Sequence, residues 1–123
     1  QHPQTFCMQI TVTIPMRLVS VANMREHWAT KATRAKSQRI LAWAELKAAD
    51  KAPRLMGPVT VKVIRIAPRA LDKHDNLRMA CKAVVDGVAD WLGVDDRDPR
   101  VTWEYGQERG KPKQYAARIE VSD

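Results

Sequence analysis

Six apolar residues, Leu77, Cys81, Val84, Val85, Val88 and Leu92, recur at offsets of 0, 4, 7, 8, 11 and 15. At 100° per residue they fall within about 100° of arc. A segment patterned this way has to bury one stripe, so the spacing predicts a helix from about Asn76 to Leu92 laid on other secondary structure. Period-two stretches supply what it lies on. Residues 8–14 alternate Met8, Ile10, Val12 and Ile14 with Gln9, Thr11 and Thr13, the signature of a half-buried strand. Pro58 and Pro68 bound a second run, Val59 to Ile66, whose buried face is ambiguous near Ile64. Val101, Trp103 and Tyr105 mark a third strand, and Tyr115, Ala117, Ile119 and Val121 a fourth. The link Arg109-Gly110-Lys111-Pro112-Lys113 predicts that these last two form a hairpin.

A first helix is expected over residues 28–49, where Trp28, Ala32, Ala35, Ala42, Trp43 and Leu46 share one stripe. Its first half is basic and its second apolar, and Lys51-Ala52-Pro53 ends it. The resulting order, β-α-β-α-β-β, predicts an α+β fold: a mixed β-sheet carrying two helices, in one domain spanning residues 1–123. A chain of 123 residues buries roughly two-thirds of its unfolded surface and folds without staples. No run approaches the ~18 apolar residues of a membrane helix. The start, Gln1-His2-Pro3-Gln4, lacks a basic-then-apolar export pattern. Cys7 and Cys81 are isolated and lack zinc-ligand spacing; both read as buried free thiols, which fits a reducing, cytoplasmic setting.

Charge is distributed unevenly around these elements. The net charge is +7, and residues 17–54 carry nine Lys/Arg against three acids, whereas residues 72–98 carry four against seven. A basic surface around an acidic focus suits a polyanion held beside a divalent cation. Asp75, Lys82 and Asp86 line the side of the second helix opposite its apolar stripe. The plain reading makes Asp75 a cap and Lys82–Asp86 an exposed i,i+4 pair. That reading leaves Asp95, Asp96 and Asp98 unexplained, because neighbouring carboxylates repel unless something positive sits among them. Mg2+ prefers oxygen ligands of this type. An exposed acidic turn is the competing explanation, and the spacing does not match an EF-hand.

The stretch Leu71-Asp72-Lys73-His74-Asp75-Asn76-Leu77, then Lys82-Ala83-Val84-Val85-Asp86-Gly87, then Asp95-Asp96, resembles the signature of RusA-type Holliday-junction resolvases. These are small crossover junction endodeoxyribonucleases of DNA recombination and repair, often carried by prophages. The resemblance covers about residues 71–105. It implies a Mg2+ (or Mn2+) site drawn from Asp72, Asp75 and Asp96, with Asp95 in reserve. It further implies Lys82 as the cation that assists cleavage, and a homodimer that cuts four-way DNA junctions. Two spacings depart from the family pattern. Two residues separate Asp72 from Asp75 where the family has one, and Lys82 stands three residues beyond the usual lysine place, held here by Met79. That displaces the ammonium by roughly 4–5 Å along the helix.

Lys31, Arg34, Lys36 and Arg39, with no acid among them, are the expected contacts to DNA phosphates, with Lys111 and Lys113 as weaker candidates. His27 and His74 are read as ordinary surface histidines. Trp28, Trp43, Trp91 and Trp103 are expected to pack in the core or a dimer interface before stacking on bases. Trp43, Leu46, Trp103 and Tyr105 are the apolar material for such an interface. Besides a junction-resolving endonuclease, the sequence admits a catalytically impaired DNA-binding relative or a basic accessory protein without enzymatic activity.

Overall fold

A computed structural model describes residues 9–19, 28–50, 57–71 and 74–123, the side chains of His74 and Asp75 excepted. The elements are β1 (Gln9–Ile14), α1 (Trp28–Ala49), β2 (Val59–Ala67), α2 (His74–Leu92), β3 (Val101–Arg109) and β4 (Ala116–Ser122). The α+β class and the β-α-β-α-β-β order are those the periodicities predict. The sheet is mixed, with strand order β1-β4-β2-β3. β2 pairs parallel with β3 and antiparallel with β4, and β1 pairs antiparallel with β4.

The hairpin expected between β3 and β4 does not form, because β2 lies between them. The correction has a physical basis in β2 itself. Residues 63–67 of β2 are buried on both faces, so this strand needs neighbours on both edges, whereas β3 alternates toward solvent and suits an edge. The six residues 110–115 step over the end of β2, where the Gly110 N–H donates to the Ala67 carbonyl at 2.9 Å. Six residues reach roughly 20 Å, twice what two strand spacings of about 4.8 Å require.

The expected stripe of α2 forms the centre of the core: Leu77, Cys81, Val84, Val85, Val88 and Leu92 are all buried, against Val61, Val63, Ile119 and Val121 of the sheet. The far side of β2 buries Ile64 and Ile66 with Ala116 in a separate small cluster, which resolves the ambiguity at Ile64 by covering both faces. On α1 the stripe holds over half its length only. Ala42 and Leu46 are buried, but Trp28 is 74% exposed and Trp43 37%. Leu46 is thereby spent in the core and unavailable to a dimer interface.

The two helices meet closely through Gly87. A Cβ there would lie 2.4 Å from the Arg39 carbonyl oxygen and 2.9 Å from the Ala42 Cβ, so only glycine admits this approach. Arg39 closes the seam, donating from Nε and Nη2 to the two carboxylate oxygens of Asp90 at 2.7 and 2.8 Å. The Trp91 indole N–H reaches the Asp50 carbonyl at 2.9 Å. All three contacts join the C-terminal halves of the helices, leaving space between their N-terminal halves.

Candidate functional site

That space is a cleft of about 1380 Å³. α1 lines it from Trp28 and Lys31 to Gln38, α2 from Arg78 to Asp86, and β3 with Trp103 and Tyr105; Asp96 and Arg97 close one end. The Gln38 side-chain amide donates to the Arg17 carbonyl at 3.0 Å, tying α1 to the segment that follows β1.

The acidic loop after α2 is built by turn chemistry. Gly93 has φ +72°, the left-handed conformation that ends helices. Val94 N–H donates to the Ala89 carbonyl and Gly93 N–H to the Asp90 carbonyl, the paired bonds of a Schellman stop. Two Asx turns follow: Asp95 Oδ1 accepts the Arg97 N–H at 2.8 Å, and Asp98 Oδ1 accepts the Arg100 N–H at 2.9 Å. Asp98 also takes the Arg100 guanidinium, which holds its carboxyl down to about 2. Asp95 and Asp98 therefore shape the loop, and Asp96 is the carboxylate left to face the cleft. The Trp103 indole N–H fixes its backbone through the Asp96 carbonyl at 2.9 Å.

Lys82 joins this loop to α2. Its Nζ donates to Asp86 Oδ1 and Asp96 Oδ2, both at 2.8 Å. Hydrogen bonding to Asp86 and Asp96 raises the Lys82 pKa above its ordinary value, so the ammonium stays protonated at neutral pH. Hydrogen bonding from Lys82, with a contribution from Asp95, lowers the Asp96 carboxyl. The pair Lys82–Asp86 is the one expected from i,i+4 spacing; Asp96, fourteen residues on, completes a three-member cluster that helical spacing alone does not reveal.

At the other end of α2 the chain is delivered by two clamps. Gln107 of β3 brackets Leu71: its Oε1 accepts the Leu71 N–H at 2.7 Å and its Nε2 donates to the Leu71 carbonyl at 3.1 Å. Arg65, buried in the sheet, donates to the Leu18 and Arg69 carbonyls at 2.8 and 2.7 Å. Burial lowers the Arg65 pKa. The Cys81 thiol nearby is pushed up to about 12 by burial, so it is an inert core group, as expected of a buried free cysteine. Neither Gln107 nor Arg65 is marked by periodicity; a glutamine on an otherwise edge-like strand and an arginine inside an apolar run are the only sequence signals.

The sequence-derived candidates separate on this frame. The cleft brings together Lys31, Arg34, Lys82 and Asp96. Lys36 lies with Arg39 and Asp86 in a shallow neighbouring depression, and Arg39 itself is committed to Asp90. Asp72 lies outside the described residues, as do His27 and Cys7. Asp75 is the second residue of α2, inside the first turn and not at the capping position. It stands seven residues before Lys82, about 10 Å along the axis. Lys111 and Lys113 are exposed in the 110–115 crossover, remote in sequence from the cleft, and Lys113 adopts φ 63°. Trp91 is buried and Trp103 half-buried, as expected; Trp28 and Trp43 are exposed. Among the described residues no group of three or more His, Cys, Asp or Glu side chains stands in an arrangement that holds a metal. In the cleft, Asp86 and Asp96 converge with Lys82 between them.

No protein-family model matches the chain, and no curated protein matches it. Among solved structures, thiamine monophosphate kinase from Aquifex aeolicus aligns over 95% of this chain and 33% of its own length, at 10% identity and a TM-score of 0.41. The chain thus spans about a third of that kinase, and a likeness at this level assigns neither family nor activity. No helix among the described residues is long and apolar enough to cross a membrane.

Proposed function

We propose that the chain is a Mg2+-dependent, structure-selective DNA endonuclease that resolves four-way junctions by phosphodiester hydrolysis, acting as a homodimer, with Mn2+ able to replace Mg2+. The observation that carries this reading is the cleft that Lys82 and Asp96 line together with Lys31 and Arg34 of α1. An acidic focus inside a basic groove holds a phosphate beside a cation.

The donor set suits a hard divalent ion. Asp96 and Asp86 each keep one carboxylate oxygen clear of the Lys82 hydrogen bond, and Mg2+ is commonly held by one or two carboxylates plus waters and phosphate. The resemblance in sequence adds Asp75 and Asp72 to the candidate ligands. Asp96 and Asp86 would hold such an ion, whose chemistry there would be to lower the pKa of a water and to polarise the scissile phosphate. Lys82, held protonated by its carboxylate partners, is a fixed positive charge and not a base, so its part is to stabilise charge developing on the phosphate oxygens. Lys31 and Arg34 hold the flanking backbone, and Trp103 keeps Asp96 in place through its carbonyl. Paired cuts in a twofold-symmetric junction require two such sites, which a C2 dimer supplies. Ile40, Leu41 and Trp43, exposed on α1, are its apolar material.

The double ion pair of Lys82 also favours a second reading, a junction-binding protein that does not cut, because the ammonium already occupies the space between Asp86 and Asp96. Strand nicking of a synthetic four-way junction and a linear duplex, in Mg2+ and in EDTA, decides between them. The proposal expects nicks on the junction that EDTA abolishes. Tight junction binding without nicking at any divalent concentration supports the second reading.

A further inference from the structure

We propose that the end of the cleft bounded by Trp28, Met79 and Tyr105 binds an unpaired nucleotide of the DNA substrate, its base stacked on the Trp28 indole and its phosphates on the cations of α1 and α2. The proposal deepens the nuclease reading and rests on it for the identity of the nucleic acid.

The first observation is exposure. Trp28 is 74% exposed and Met79 48%, although both line a concave surface and each has a long apolar body. Large apolar side chains collected at the lip of a cleft mark a binding surface. The second is shape. Ala32 and Ala35 of α1 and Ala80 and Ala83 of α2 line the cleft with Trp28, and their small methyl groups leave room for a flat ring. The third is charge. Five cationic side chains line the cleft against two carboxylates, Asp86 and Asp96, and Lys82 already holds both carboxylates. The occupant is therefore anionic as well as apolar. Arg78 lies 5.9 Å from the Tyr105 ring centroid, a cation at the aromatic wall where a phosphate next to a stacked base would fall.

Size and stacking select the class of ligand. At about 1380 Å³ the cleft exceeds the ~300–1,000 Å³ of typical small-molecule sites, so a polymer that enters and leaves fits it better than an enclosed metabolite. A base inside a duplex has both faces covered by its neighbours, whereas an unpaired base offers a face to an indole. Base–aromatic stacking of this kind is worth ~1–3 kcal/mol per base and tolerates any sequence. Trp28 and Lys82 line the same groove, so a nucleotide stacked at one end sets the strand's register at the other.

The test is fluorescence anisotropy of labelled oligothymidylate and of a duplex of equal length, in EDTA, with wild type, Trp28→Ala and Trp28→Phe. Trp28→Ala is expected to weaken single-strand binding about 5- to 140-fold, the stacking range converted at 1.4 kcal/mol per decade. Trp28→Phe should recover most of the loss, and duplex affinity should change less than about twofold. Because Trp28 is exposed at the first residue of α1, both variants should melt with the wild type, which a thermal scan verifies. Single-strand affinity indifferent to Trp28→Ala, equal losses on single strand and duplex, or no single-strand binding by wild type overturns the proposal. Trp28-dependent binding by a protein that never nicks DNA removes the nuclease reading and leaves the stacking site. Nicking with Trp28-indifferent binding does the reverse.

Discussion

Gly87→Ala tests the helix contact on which the cleft depends. The added Cβ would sit 2.4 Å from the Arg39 carbonyl oxygen and 2.9 Å from the Ala42 Cβ, where carbon–oxygen contact normally begins near about 3.3 Å. The nearer atom belongs to the α1 backbone, so no rotamer change relieves the overlap and α1 must retreat by roughly 1 Å. Overpacking of this kind costs ~1–3 kcal/mol, and backbone involvement places it at the upper end. Helix propensity opposes the loss, since alanine is favoured over glycine by ~0.8–1.0 kcal/mol in a helix interior. The net expectation is a destabilisation of about 2 kcal/mol. With a urea slope of ~1–3 kcal/mol per molar, the unfolding midpoint followed by circular dichroism should fall by about 1 M. A midpoint equal to or above wild type would refute the reasoning, because propensity would then have won and the helices would not be in fixed contact at Gly87.

Arg39→Ala should act on stability and not on DNA binding: the bidentate pair with Asp90 is half exposed, worth ~0.5–1 kcal/mol in solvent, whereas Arg34→Ala should lower the slope of log K against log salt by about one unit. The Asp90 carboxyl is lowered by its hydrogen bond from Arg39, so the pair's contribution is fully present above the unfolded carboxyl pKa of ~3.9 and is lost as pH falls through the lower folded value. The stability difference between wild type and Asp90→Asn, from urea curves at several pH values, should therefore shrink below about pH 4; a difference that grows toward acid would reverse the assignment. Lys82→Ala should slow single-turnover cleavage more than it weakens junction affinity, and matched losses would make Lys82 an ordinary phosphate contact. Sedimentation equilibrium should give a dimer of twice 13.9 kDa that Ile40→Glu with Trp43→Glu dissociates; a monomer that stays monomeric on junction DNA would rule out paired resolution.

Where one periodic stripe meets one continuous partner, the sequence was sufficient. The buried face of α2, from Leu77 to Leu92, follows from spacing because the sheet covers it along its length. On α1 the same reasoning overreached at Trp28 and Trp43, since a stripe marks which residues share a face but not how far the partner extends. Strand alternation found β3 and β4 but not their separation by β2, which is a long-range choice set by the burial of β2 on both faces, Val61 and Val63 on one and Ile64 and Ile66 on the other. At the candidate site, turn chemistry divides the acids of residues 95–98: Asp95 and Asp98 bond to the backbone two residues on, a pattern visible in hindsight from the Asp-x-Arg spacing. The partnership of Asp96 with Lys82 and the hold of Gln107 on Leu71 bridge segments far apart in sequence, where no periodicity reaches.

The most direct measurement of the proposed activity is single-turnover cleavage of a four-way junction in Mg2+ by wild type, Asp75→Asn, Asp96→Asn and Asp86→Asn, with junction affinity measured on the same preparations. An amide removes a carboxylate's charge and little of its volume. Wild type is expected to nick opposing strands, Asp75→Asn and Asp96→Asn to bind with near-wild-type affinity while losing cleavage, and Asp86→Asn to be affected less than Asp96→Asn. Cleavage by Asp75→Asn and Asp96→Asn at the wild-type rate, or by wild type in the absence of any divalent ion, would contradict a metal-dependent carboxylate site.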